Sequence, residues 1–342
     1  MASSRRLPSS YNTSTYGNVT RDYTSLATWE SATDNDLVTA TNGEVLECYD
    51  DAASFDDEVG VAGATTNSSY FRVIKPATGQ GHDGTPNNGV FFHRTTAYTN
   101  FHIINASEAY FQLQDIIFKA TQNDLKSSYC IGIGGNGGSA IGVICFDSTN
   151  AGGGYLGGLI INGASATIYI VNCICANNQP PANRGDFDIS SSATGSTVYF
   201  YNCTGWDSAQ YNFNHAGGTG VAKNCISEGG TVGNWNGTWT KTTCTDGDGV
   251  VFENSAGDDL SLDSTDAAAR ENGTDLSADA NYAFDDDIVG RTRPINADWD
   301  IGAWEDSSTW TPPTTGWEGL IFGIRNPGKV LGIADINNIM GV

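Results

Sequence analysis

Positive charge is what this chain has least of. Sixteen Lys and Arg stand against 39 Asp and Glu, a formal net charge of -23 over 342 residues. Such a surface repels nucleic-acid phosphates and anionic lipid, so neither is expected as a partner. Lys, Glu, Leu and Met are few, whereas Gly, Asn, Asp, Ser and Thr abound. That balance disfavours long helices and favours short strands joined by many turns. No apolar run is long enough to span a membrane. "MASSRRLPSSYNTSTYGNVT" has two arginines with no apolar stretch behind them, so no secretory signal is read there. His82, His93, His102 and His215 are scattered, none at metal-ligand spacing to another. The cysteines form no CxxC pair suited to zinc. No cofactor is expected, and no metal beyond Ca²⁺ held weakly by an Asp-rich surface. "GGNGG" and "AGGGYLGG" precede no Lys-Ser/Thr, which excludes a phosphate loop; both read as tight turns or loops.

What is present is a succession of short alternating runs. "EVLECYD", "YFRVIKP", "FHIINAS", "AIGVICFDS", "ATIYIVNCICANN" and "TVYFYNCTGWDS" all read as strands, separated by Gly/Asn/Asp clusters. Residues 1–21 are polar and aperiodic and read as an arm, flexible or lying along a partner. "DYTSLATWESATDND" has the one helical stripe: Thr24 or Ser25 as cap, with Leu26, Trp29 and Ala32 on one face. Its simplest task is to cover an open sheet end. Cysteines number eight. Without an export signal they are expected to be buried thiols.

The strands repeat. "VNCIC" at 171–175, "YNCTG" at 201–205 and "KNCIS" at 223–227 share an Asn-Cys pair, with steps of 30 and 22 residues. Cys145 precedes Cys173 by 28, and Asp115–Ile116 in "LQDIIFKA" fits the same two slots one turn earlier. A step of about 22 residues, lengthened by insertions, is one coil of a right-handed parallel β-helix, whose coils bury their inner faces only by stacking. Asn172, Cys173, Asn202, Cys203, Asn224 and Cys225 then form structural columns. The cysteines act as small interior hydrophobes, and the asparagines bond from rung to rung at a corner.

The entry "DYTSLATWE…EVLECYDD" and the exit "DDDIVGRTRP…DWDIGAWED" carry a resemblance over about residues 20–305. The chain resembles the pectate-lyase-like, right-handed parallel β-helix superfamily. Its exit, Asp287, Ile288, Gly290, Arg293, then Asp300, Ile301, Gly302, Ala303, Trp304 and Glu305, is similar to the closing segment of β-helix proteins of bacterial surfaces and tailed-phage virions. "DWDIGAWE" is expected to pair as a last strand over the final coil, with Arg291 or Arg293 bridging Asp286, Asp287, Asp300 or Glu305. The resulting plan is an arm at 1–21, a capping helix at 22–34, a parallel β-helix at 35–265 and a closing cap at 266–306. A linker at 307–319 and a C-terminal tail at 320–342 complete it.

This fold hosts lyases, hydrolases, adhesins and spikes, so chemistry must be sought residue by residue. No catalytic residue is assigned. The nearest candidates are Arg184, Asp186 and Asp188, which alternate and would share one strand face. Hydrolysis would need two carboxyls about 5–9 Å apart, and Asp147, Asp186, Asp188 and Asp207 can meet on adjacent coils. Trp206, Trp235 and Trp239 are candidates for a sugar-stacking surface, or for a buried cap. The tail repeats an apolar triplet around Gly every nine residues. Ile321, Phe322, Ile324, Val330, Leu331, Ile333, Ile339, Met340 and Val342 are its assembly residues. The resemblance and the tail together imply a non-enzymatic virion protein: a homotrimeric spike, fibre or head-decoration subunit. It would contact other virion proteins through tail or arm, and a host surface polysaccharide as ligand. It would assemble in the host cytoplasm and leave by lysis. The alternative is a polysaccharide lyase or glycoside hydrolase on the same fold.

Overall fold

The computed structural model describes residues 3–96, 101–123, 127–152, 154–247, 249–306, 320–321 and 324–325. Residues 1–306 form one compact unit and 307–342 a second.

The first unit is a parallel β-solenoid of about seven turns. Each turn gives one strand to each of three faces. The sheets are a nine-stranded first, a seven-stranded second and a seven-stranded third. The fifth turn is typical: Thr167–Val171 in the first sheet, Ile174–Ala176 in the second and Gly185–Ile189 in the third. The sixth repeats it in register with Thr197–Tyr201, Thr204–Trp206 and Tyr211–His215. Period-two alternation decides which face is buried. Ile168 and Ile170 point into the core, as do Val198 and Phe200 in the next strand, while Tyr169 and Tyr199 stack on the outside.

Between the first two sheets, from the third turn on, the chain bends at a residue in the left-handed region. The series is Asp115, Gly142, Asn172, Asn202, Asn224 and Thr243. Short polar side chains and glycine tolerate that conformation best. The expected Asp115–Ile116 slot is therefore real, but Cys145 does not belong to the Cys173 column. It pairs with Cys175, and Gly142–Val143 fills the Asn-Cys slot of its turn. The rung-to-rung asparagine ladder is also corrected. Only Asn224 donates to Asn202, at 3.3 Å. Asn172 donates to the carbonyl of Asp286 at 2.9 Å, and Asn202 to those of Asp300 and Gly302 at 3.3 Å. The corner carboxamides are bonded to the returning C-terminal segment.

That segment is not a lid on the last coil. Residues 266–306 run back along the corner between the first two sheets. Asn224 meets Thr274, Asn202 meets Asp300, and Asn172 meets Asp286. "DWDIGAWE" forms no strand; isolated bridges Gly273–Trp299 and Asp286–Thr292 tie the returning segment to itself. The expected ion pairs are present, Arg291 with Asp287 at 2.7 Å and Arg293 with Glu305 at 2.6 Å.

The arm is part of the solenoid. Tyr11–Tyr16 is the first strand of the first sheet, parallel to Gly43–Cys48. Tyr16 reaches the core and stacks on Phe92. Arg5 joins Asp115 at 2.7 Å and Asp286 at 3.0 Å, so the arm is clamped between solenoid and returning segment. The helix Leu26–Thr33 buries Leu26, Trp29 and Thr33, whereas Ala32 is exposed. Ser25 makes no side-chain cap; Asp57 accepts from the Leu26 amide instead, at 2.7 Å. A second, unexpected helix, Leu37–Ala40, has Asp36 as its cap.

Of the tail, Leu320–Ile321 and Ile324–Arg325 form a short antiparallel pair. Phe322, Val330, Leu331, Ile333, Ile339, Met340 and Val342 lie outside the described residues, as does the 307–319 linker.

Candidate functional site

The strand Gly185–Ile189 carries both candidate acids, and each is held by its own set of partners. Phe187 and Ile189 face the core. Asp188 faces outward, yet it is 0% exposed. Tyr129 donates its hydroxyl to it, Asn214 donates at 2.9 Å and Arg184 at 3.3 Å. The tyrosine reaches it by lying across Gly157, where a Cβ would sit 2.3 Å from the ring. Gly157 and Gly158 of "AGGGYLGG" are thus mid-strand residues of Tyr155–Ile161 rather than a turn. The second glycine leaves room for Cys175.

Asp186 is turned toward the corner between the second and third sheets and is also 0% exposed. It accepts from Asn178 and from Ser208, each at 3.1 Å. These three belong to a buried polar spine that the sequence reading missed. Ser148, Asn178 and Ser208 recur at 30-residue steps. Each follows a left-handed corner residue, Asp147, Asn177 or Asp207. The Ser148 amide donates to Asn178 at 3.0 Å, and the Ser208 amide to Asn212 at 3.2 Å. Asn212 donates to Ser227 and to Asn234, at 3.3 and 3.4 Å. By strand register Asp186, Asn212 and Asn234 are successive neighbours. The 30-residue polar recurrence was the available signal.

Electrostatics agree with this structural use. Burial pushes the Asp186 carboxyl up to about 7 and raises that of Asp188. Burial also raises the Tyr129 phenol well above its usual value, so it is a poor base at neutral pH. A polymer cannot reach either carboxyl. Asp147 and Asp207 sit at solvent corners two turns apart, with Asn177 between them, and Asp147 is paired with Lys119 at 3.0 Å. No group of three or more metal-ligating side chains occurs among the described residues.

The three tryptophans divide. Trp235 stacks on Phe213 at 4.3 Å and meets Trp239 edge-on at 5.3 Å, both packed on the last turn of the core. Their indole N–H groups donate to the carbonyls of Thr245 and Asn236. They close the end of the stack, the task expected of the returning segment. Trp206 belongs to a different cluster, edge-on to Phe252 at 5.1 Å. The Asn-Cys pairs are structural: Cys173, Cys203 and Cys225 are buried free thiols, and burial raises the last two well above the usual thiol value.

The fold and this site define a parallel β-solenoid with a polar interior spine. Compared with family models, curated proteins and solved structures, the chain matches none.

Proposed function

We propose that this protein is a non-enzymatic structural subunit of a tailed-phage virion, a spike, fibre or head-decoration component built on a β-solenoid. It works as a homotrimer whose residues 320–342 clamp chains together or grip a second virion protein. It meets the host through a surface glycan. One observation carries the non-enzymatic half: Asp186 and Asp188 are fully buried and bonded to side chains of the fold. Free interior thiols suit assembly in a reducing cytoplasm before release by lysis. The lyase or hydrolase reading needs an accessible carboxyl, and neither of these supplies one.

The test is the native mass of the full chain and of a chain ending before Leu320. A trimer that falls to monomer makes the tail an assembly clamp. A trimer in both puts assembly on the solenoid and leaves the tail for another virion protein. A monomeric full chain removes the appendage reading.

A further inference from the structure

The column of thiols behind the first corner does not stop at Cys225. The corner residues Asn172, Asn202, Asn224 and Thr243 are each followed by a cysteine. Cys173, Cys203, Cys225 and Cys244 thus occupy one slot on successive rungs. Strand register sets Lys223 opposite Thr242, and the ladder runs on past the corner. The Asn224 amide donates to the Thr242 carbonyl at 3.1 Å, and the Thr245 amide to the Cys225 carbonyl at 3.0 Å. Cys244 therefore lies one rung from Cys225, whose amide donates to the Cys244 sulfur at 3.4 Å. Cys145 and Cys175 are held in register in the same way on the second sheet.

Access separates the two pairs. Cys145 and Cys175 are sealed in the core, with rungs on both sides. Cys225 is buried too, and its thiol donates to the carbonyls of Phe200 and Lys223 at 3.3 and 3.4 Å. Cys244 is the one half-buried cysteine of the eight. It follows Trp239–Thr242, the last strand of the first sheet among the described residues. Neighbouring rungs lie about 4.8 Å apart, within the Cα separation of about 4.4–6.8 Å that a disulfide spans. An end rung has a neighbour on one side alone, so it can shift to let the sulfurs meet. The Cys225 thiol beside it, and then burial, hold the Cys244 thiol above its usual value. It is a slow nucleophile that stays reduced until an oxidant is supplied.

We propose that Cys225 and Cys244 are an oxidisable pair, which peroxide closes into a disulfide that locks the last coil of the solenoid. The Cys244 sulfur attacks one oxygen of hydrogen peroxide. The O–O bond breaks, one water leaves, and Cys244 becomes a sulfenic acid. The Cys225 sulfur then attacks the Cys244 sulfur. The S–O bond breaks, and a second water leaves with the Cys225 proton. The two thiols lose two electrons and two protons, and one peroxide is reduced to two waters. The bridge joins the two ends of one coil, the coil that carries Trp235 and Trp239, and makes it a covalent ring. A solenoid unwinds from its ends, where a rung is held on one side only, so this is where a cross-link protects most. The pair stands whether or not the chain belongs to a virion. In a virion, release by lysis would carry it from a reducing cytoplasm into the medium where such a bond persists.

The test treats the folded full chain with hydrogen peroxide, then counts thiols after denaturation and maps linked peptides by mass spectrometry. The expected result is the loss of two thiols per chain, one peptide linking Cys225 to Cys244, and a melting temperature a few degrees higher. Dithiothreitol should reverse all three, and should change nothing in chain never exposed to peroxide. Cys244→Ser should abolish the thiol loss. Its side chain is half-buried at the end of the column, so the variant should start from the wild-type melting temperature. Cys225→Ala should leave Cys244 as a sulfenic acid that dimedone captures. If that variant does not fold, the wild-type peptide map decides alone. No loss of thiols, a link between Cys145 and Cys175, a link between two chains, or a Cys225–Cys244 bridge that leaves the melting temperature unchanged each overturns the proposal. A monomer that forms the bridge keeps this pair and loses the virion reading; a trimer that does not form it does the reverse.

Discussion

Asp186 shows how a residue type misleads about its use. An acid two positions from another, with an arginine beside them, looks like a catalytic set. Here the strand buries one carboxyl in a Ser/Asn spine and the other under Tyr129. The arrangement has a measurable consequence. An exposed Asp in the unfolded chain titrates near 4, whereas burial holds the folded group at about 7. The folded state therefore binds the extra proton between those values, and stability from this group is lost as pH rises from about 4 to about 7. Asp186→Asn removes the charge and extends the Asn212–Asn234 column. The variant should be more stable than wild type at pH 8, by on the order of 4 kcal/mol at most, with the gain shrinking toward pH 5. Glu305, also pushed up to about 7 by burial, is common to both proteins and cancels in the difference. A gain that did not vary with pH would refute the buried-charge account. The acids themselves were legible in sequence. Their burial was not, because it depends on a tyrosine and an asparagine from other turns.

At the scale of elements, the returning segment 266–306 depends on Arg293. Its guanidinium is buried, pairs with Glu305 and donates to the carbonyls of Asp286, Asp300, Gly302 and Ala303. These carbonyls belong to a segment with almost no ladder of its own, so one fork supplies bonds that a sheet would otherwise provide. Removing one member of a buried pair typically costs about 3–5 kcal/mol, because the other is left unpaired. Arg293→Met should lose about that much. In hydrogen exchange, amides of 286–305 should lose protection while Ile168 and Ile170 keep theirs. Equal protection in variant and wild type would mean the segment is held by packing alone. The Arg–Glu pairing was foreseeable from the charged exit motif. The place where the segment lies was not, since its partners are corner asparagines on turns five to seven.

For the molecule as a whole, the described cysteines are all free and seven of the eight are buried. A small secreted scaffold would owe stability to cross-links; this solenoid owes it to stacked Ile, Val, Phe and Cys columns. A reductant such as dithiothreitol should therefore leave the melting temperature unchanged. A drop of several degrees would show that a disulfide contributes.

The amino-acid order alone determined the repeating coil. Period-two alternation, left-handed corner residues and small interior thiols are local requirements, and each turn states them again. The three-sheet section and the core columns follow from that repetition. Tertiary structure alone decided everything that breaks it. The arm became a strand because the exposed edge of Gly43–Cys48 could accept one. The exit motif lies along a flank because the corner asparagines present donors there, and Trp235 and Trp239 close the end in its stead. These are contacts between segments up to nearly 300 residues apart, and a local pattern has no means of recording them.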